Sequence, residues 1–188
     1  KFAKAYIKRG IAYGNKGQFD KAIFDYTKVI EISPDFADAY DNRGAAHLDK
    51  GQFDHAITDY NKVIEMNPNN VDAYNNRGIA YYKKRQFNEA ISDYNKAIEL
   101  DPLYVEAYFN RGNAYRNLQQ YEAALADFRR AIELNPDDAQ VYFNLGALFV
   151  NTGQLPKSLP YLEKAVLLGH SQAVDVIAQV QEALGMEA

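Results

Sequence analysis

Two sets of charged residues recur in step along this 188-residue chain. Arg9, Arg43, Arg77 and Arg111 repeat with a period of 34, and Asp25, Asp59, Asp93 and Asp127 keep the same period. One period further on both change together, to Leu145 and Tyr161. A partly buried guanidinium needs a carboxylate, and its planar fork matches one. Each arginine is therefore expected to pair with the aspartate of its own period, as a structural ion pair. The rival pairing joins Asp59 to Lys62 along one helix, as at Asp25/Lys28 and Asp93/Lys96. A second row is neutral: Asn42, Asn76, Asn110 and Asn144, with Lys8 in the same slot of the first period. A side-chain amide both donates and accepts, so it can hold a peptide group of a ligand from both sides. Asparagine is a mediocre helix former, so propensity does not explain the row. The plainer alternative is a solvated or locally bonded polar row.

Catalytic chemistry lacks its residues. The absence of cysteine excludes disulfides and thiolate metal sites. Of three histidines, His47 takes the slot of Tyr13, Tyr81, Tyr115 and Phe149 and reads as a core aromatic, while His55 and His170 read as surface or turn residues. No His-x-x-x-His, phosphate loop or nucleophile elbow occurs. No enzyme activity, metal or cofactor is expected. A net charge of −4 without a basic stripe argues against nucleic acid. No apolar run reaches the roughly 18 to 20 residues of a membrane span, so no insertion is expected within this stretch. The cytoplasm is the default compartment. The chain starts at Lys1 without Met, and Lys1-Phe2 stands where Asp35-Phe36 stands one period later. We expect a piece of a longer protein, with further repeats or another domain before it.

The elements that must carry these rows follow from the same period. Glycines fall at 10, 44, 78, 112 and 146, and prolines at 34, 68, 102 and 136. A fixed period in this range marks a repeat array. Each period reads as two helices: in residues 37–70 the spacing predicts one from Ala37 to Lys50 and another from Phe53 to Met66, followed by the Asn67-Pro68-Asn69-Asn70 turn. A glycine inside a helix costs about 1 kcal/mol against alanine. The glycine row is therefore expected to pack closely on the small row Ala22, Ala56, Ala90, Ala124 and Ser158. Ser171 is expected to cap a last helix over about 172–185, closed by Gly185, with Val174, Ile177, Ala178 and Leu184 on its apolar face.

This pattern resembles the tetratricopeptide repeat. That family places an aromatic, Leu-Gly and Tyr in helix A, Ala and an aromatic in helix B, then Pro. Here the slots read Tyr74, Arg77-Gly78, Tyr81, Ala90, Tyr94 and Pro102. The arginines depart from the family's leucine. The resemblance spans five repeats, 3–36, 37–70, 71–104, 105–138 and 139–172, in one array over 1–188. It implies an all-α fold, a right-handed α-solenoid of antiparallel helix pairs with a concave groove. It also implies a protein-interaction scaffold holding an extended partner peptide. A self-assembling structural protein, joined through its N-terminal end, is the alternative. The expected peptide-binding residues are the four asparagines with Asp38, Asp41, Asp72, Tyr82, Phe109 and Phe143. The aspartates favour basic ligand residues and the aromatics apolar ones. Chaperone-binding members grip acidic tails with basic A helices. Here Asp38, Asp41, Asp49, Asp72 and Glu106 oppose such a tail.

Overall fold

The computed structural model describes residues 2–186. Lys1, compared above with Asp35, lies outside them, as do Glu187 and Ala188. All regular structure in the described residues is α-helical: α1 Phe2–Gly14, α2 Phe19–Ile32, α3 Ala37–Asp49, α4 Phe53–Met66, α5 Val71–Lys83, α6 Phe87–Leu100, α7 Val105–Asn117, α8 Tyr121–Leu134, α9 Ala139–Asn151, α10 Leu155–Leu167 and α11 Gln172–Ala183. The odd helices through α9 are the A helices of the five repeats and their successors the B helices. The chain forms two compact units, residues 1–102 and 103–188.

Within each repeat the pair is antiparallel. Arg9 meets Asp25 while Tyr13, one turn later, meets Lys21 nearer the start of α2. Tight turns join the helices. Gly17, Gly51 and Gly153 adopt φ of 67°, 73° and 72°, the left-handed region where glycine carries no Cβ penalty. Arg85 and Gln119 hold the same slot at φ 62° and 60°, so repeats three and four adopt the turn with side chains that disfavour it.

The helical glycines pack differently from expectation. They face not the alanine row but the large residue four positions beyond it on helix B. A Cβ on Gly78 would stand 2.6 Å from Tyr94, and one on Gly112 would stand 2.8 Å from Phe128. The same holds for Gly10 on Tyr26, Gly44 on Tyr60 and Gly146 on Leu162. Each large side chain fills the notch that the missing one leaves, which offsets the propensity cost. The alanine row is itself fully buried.

Helix α11 also differs. Ser171 stands at its N-cap in helical conformation, and its hydroxyl makes no capping bond. Its inner face is Ala173, Val176, Ile177, Val180 and Leu184, packed on Leu162 and Ala165, whereas Val174 and Ala178 point outward. Gly185, at φ 67°, closes it.

Candidate functional site

The arginine row builds a clamp in each of the first four repeats. Nε and Nη2 of Arg9 donate to the two carboxylate oxygens of Asp25, both at 2.7 Å. The matching distances are 2.9 and 2.6 Å for Arg43 on Asp59, and 2.8 and 2.6 Å for both Arg77 on Asp93 and Arg111 on Asp127. The four aspartates are buried. Two fork-to-fork bonds per pair answer the desolvation of the carboxylate. The bond to Asp59 holds the Arg43 guanidinium above its ordinary pKa, and Asp93 does the same for Arg77. Burial pushes the Asp93 and Asp127 carboxyls up, and their arginines offset only part of it. The rival lysines go elsewhere: Lys28, Lys62 and Lys96 bond Glu31, Glu65 and Glu99.

In unit 1 the remaining guanidinium nitrogen crosses to the preceding repeat. Nη1 of Arg43 donates to Thr27 Oγ1 at 3.1 Å, and Nη1 of Arg77 to Asn61 Oδ1 at 2.6 Å. Sequence reasoning missed this link. Its signal was available: Thr27 and Asn61 are hydrogen-bond acceptors in one slot of the B helix. A second tie joins Lys84 to Asp54 at 2.5 Å, and Lys50 to Asp20 in the same slots one repeat earlier.

In each unit the candidate ligand surface is the exposed side of its own A helices, and the chemistry differs between the two. In unit 1, Asp38 and Asp72 are exposed while Asp41 is half-buried. One Asp41 carboxylate oxygen is fully enclosed and makes no hydrogen bond. Burial raises this carboxyl's pKa, and repulsion from Asp72 and Asp38 raises it further. Asn42 turns its amide back on its own helix, donating to the Asp38 carbonyl at 2.6 Å. Asn76 is half-buried, and its Oδ1 accepts from Asn75 at 3.4 Å. Asn75, one residue earlier, is buried. The half-buried Tyr82 ring stands edge-on to Phe87, 5.4 Å between centroids.

In unit 2, Asn110 is half-buried, but Asn144 is only 6% exposed. Asn144 donates to the Gln140 carbonyl and accepts from Arg116 Nη1, both at 2.8 Å. Both ends of its amide are engaged within the unit. Phe109 packs near Phe128 at 6.1 Å, and Phe143 stacks on His170 at 4.1 Å. Both rings are thus half inside the unit and present one side only. The slot just before the asparagines reads Ile7, Asp41, Asn75, Phe109 and Phe143. It is polar at Asp41 and Asn75 and aromatic at Phe109 and Phe143.

His47 sits in the core slot, with Nδ1 2.6 Å from Gln52 Oε1 and its ring stacked on His55 at 5.0 Å. Burial holds its pKa below the ordinary value. Among the described residues no group of His, Asp and Glu has the geometry of a metal site, and no helix is long and apolar enough to cross a membrane.

Solved structures share this fold. MamA from Desulfovibrio magneticus RS-1 superposes with a TM-score of 0.82 at 22% identity, over 92% of this chain and 97% of that one. Pseudomonas aeruginosa PilF gives 0.85 at 20% identity, over 97% and 84%. YrrB, described as a TPR protein with an unusual peptide-binding site, gives 0.73 at 24%, over 92% and 90%. No curated protein sequence matches the chain. Profiles of the tetratricopeptide repeat match residues 3–36, 71–104, 93–126 and 139–168, and a TPR repeat profile matches 46–85 and 112–153. With five helix pairs in register and repeat profiles over most of its length, the chain belongs to the tetratricopeptide repeat family.

Proposed function

We propose that this scaffold holds extended peptide segments of a partner protein on the exposed side of its A helices, a basic segment against unit 1 and an apolar one against unit 2. The observation that carries the reading is the acidic cluster around Asp41: exposed Asp38 and Asp72 repel its half-buried carboxylate, and a cation among the three relieves that repulsion. A ligand lysine or arginine reaching between Asp38, Asp41 and Asp72 supplies that cation. Half-buried Asn76 offers its amide to the ligand backbone, and Asn110 stands in the same slot of unit 2. Helix-pair solenoids commonly present such surfaces to partner proteins. The peptide-binding site in the description of YrrB supports the same use of the fold.

Titration of fluorescein-labelled extended peptides tests it. A lysine-rich peptide should bind more tightly than its glutamate-rich twin, and Asp41→Asn should weaken it. Asn76→Ala and Asn110→Ala should each cost about 0.5 to 1.5 kcal/mol of affinity for ligands on their own unit, with melting temperature unchanged. Equal binding of the acidic peptide would sink the reading.

Self-association is the second reading. A hollow of about 410 Å³ lined by Ala3, Lys4, Ile7, Ser33 and Phe36 lies at the start of unit 1, where Phe2 is 76% exposed. Sedimentation velocity across a concentration series decides it: a concentration-independent monomer leaves only the ligand-binding role.

A further inference from the structure

The junction between repeats four and five lacks the polar link described for unit 1. There, Arg43 and Arg77 each bond an acceptor 16 residues earlier, on the preceding B helix. At the last junction the same two slots hold Leu145 and Arg129. Leu145 is fully buried and has nothing to donate. Arg129 is a cation where an acceptor would stand; it is exposed, and no described residue bonds it. The carboxylate slot of this repeat is Tyr161, whose ring stacks on Phe149 at 5.5 Å and 20°. A groove of about 510 Å³ lies among α8, α9 and α10, its lining including Leu125, Arg129, Phe149, Lys157, Pro160 and Tyr161, the last of these in the carboxylate slot.

The lining has two parts. Leu125, Phe149, Pro160 and Tyr161 form an apolar, largely aromatic floor. Arg129 on α8 and Lys157 on α10 stand at the rim as cations. The acidic Glu122 lines the adjoining hollow near the start of α8, together with Tyr121. An unpaired guanidinium beside an aromatic wall fits a carboxylate whose neighbour is a large apolar side chain. The fork takes the carboxylate through two parallel bonds, and the ring wall takes the apolar group out of water.

We infer that this groove is a second peptide-docking surface, separate from the A-helix side, which takes an extended partner segment with an acidic residue adjacent to a large apolar one. The carboxylate lies on Arg129, with Lys157 adding charge, and the apolar side chain lies over Tyr161 and Pro160.

Panning a random dodecapeptide display library on the whole chain tests this. The enriched sequences should set Asp or Glu beside Phe, Leu or Trp. A selected peptide, labelled with fluorescein, should lose about tenfold or more in affinity on Arg129→Glu and again on Tyr161→Asp. Asp41→Asn should leave its binding alone, which separates this surface from the one proposed above. Arg129 is exposed, so Arg129→Glu keeps the fold, and an unchanged melting curve verifies that. Lys157→Glu gives an independent smaller loss. No enrichment, a basic consensus, or binding insensitive to Arg129→Glu would overturn the inference. A concentration-dependent dimer abolished by Arg129→Glu would overturn it too, by assigning the groove to a second copy of the chain.

Discussion

In repeat two, Arg43 and Asp59 close a polar clamp beside His47; in repeat five, Leu145 and Tyr161 occupy the same slots beside Phe149. Both repeats seat helix A on helix B through the glycine notch, Gly44 on Tyr60 and Gly146 on Leu162. The notch is therefore what pairs the helices, and the clamp is a separate layer laid over it. What the clamp decides is the next contact. Arg43 has a donor left for Thr27, whereas Leu145 has none, and a groove lies among α8, α9 and α10 at the last junction.

The largest expected effect comes from removing half of a clamp. Asp59→Ala leaves Arg43, whose side chain is 20% exposed, without its carboxylate, and unfolding in denaturant should show a loss of about 2 to 4 kcal/mol. Adding Arg43→Leu and Asp59→Tyr together imports the pair used in repeat five and should return stability to within about 1 kcal/mol of the native chain. A double variant as unstable as Asp59→Ala would show that the two solutions are not exchangeable. Next in size, Gly78→Ala should cost about 1 to 3 kcal/mol by overpacking Tyr94. Gly44→Ala should cost less, because its Cβ would stand 3.1 Å from Tyr60 instead of 2.6 Å. Equal losses would reject the notch as the discriminating contact. Smaller still, Gln119→Gly should raise stability by about 0.5 to 1 kcal/mol by relieving its left-handed backbone, and Gly153→Gln in repeat five should lower it by a similar amount.

The smallest effect is electrostatic and depends on pH. Burial and two neighbouring carboxylates raise the Asp41 pKa in the folded chain above its unfolded value. Its contribution to stability is thus present below the unfolded pKa and lost as pH rises through the folded one. Asp41→Asn should gain a few tenths to about 1 kcal/mol at roughly pH 7 and nothing at roughly pH 3. An advantage that persists in acid would have another origin. The same variant should weaken a basic ligand of unit 1, so stability and binding should move in opposite directions.

The repeat boundaries were legible because five copies average out local noise: α4 runs over Phe53–Met66 as the spacing predicts, and α3 stops at Asp49, one residue short of the expected Lys50. The clamp was legible because repeat five changes both members together, which works as an internal control. The target of the glycines was not. Alanine and aromatic rows four residues apart lie on one helix face, so periodicity cannot say which row fills the notch. Helix α11 occurs once, and with nothing to compare it to, its apolar face was misjudged by about one residue. Asn144 could not be told from Asn42, Asn76 and Asn110, since it is Arg116, in another repeat, that engages its carbonyl oxygen.

The pairing of Leu145 with Tyr161 bears on how the chain finds its register. Four clamps of the same chemistry, spaced one period apart, allow an arginine to capture the aspartate of the wrong repeat during folding, and misassembly of this kind is a characteristic failure of repeat proteins. A repeat with leucine and tyrosine in those slots can neither offer nor accept such a capture. Repeat five is therefore exempt from this mispairing, and chains that fold outward from it have fewer wrong partners at each step than an array of five identical repeats would have.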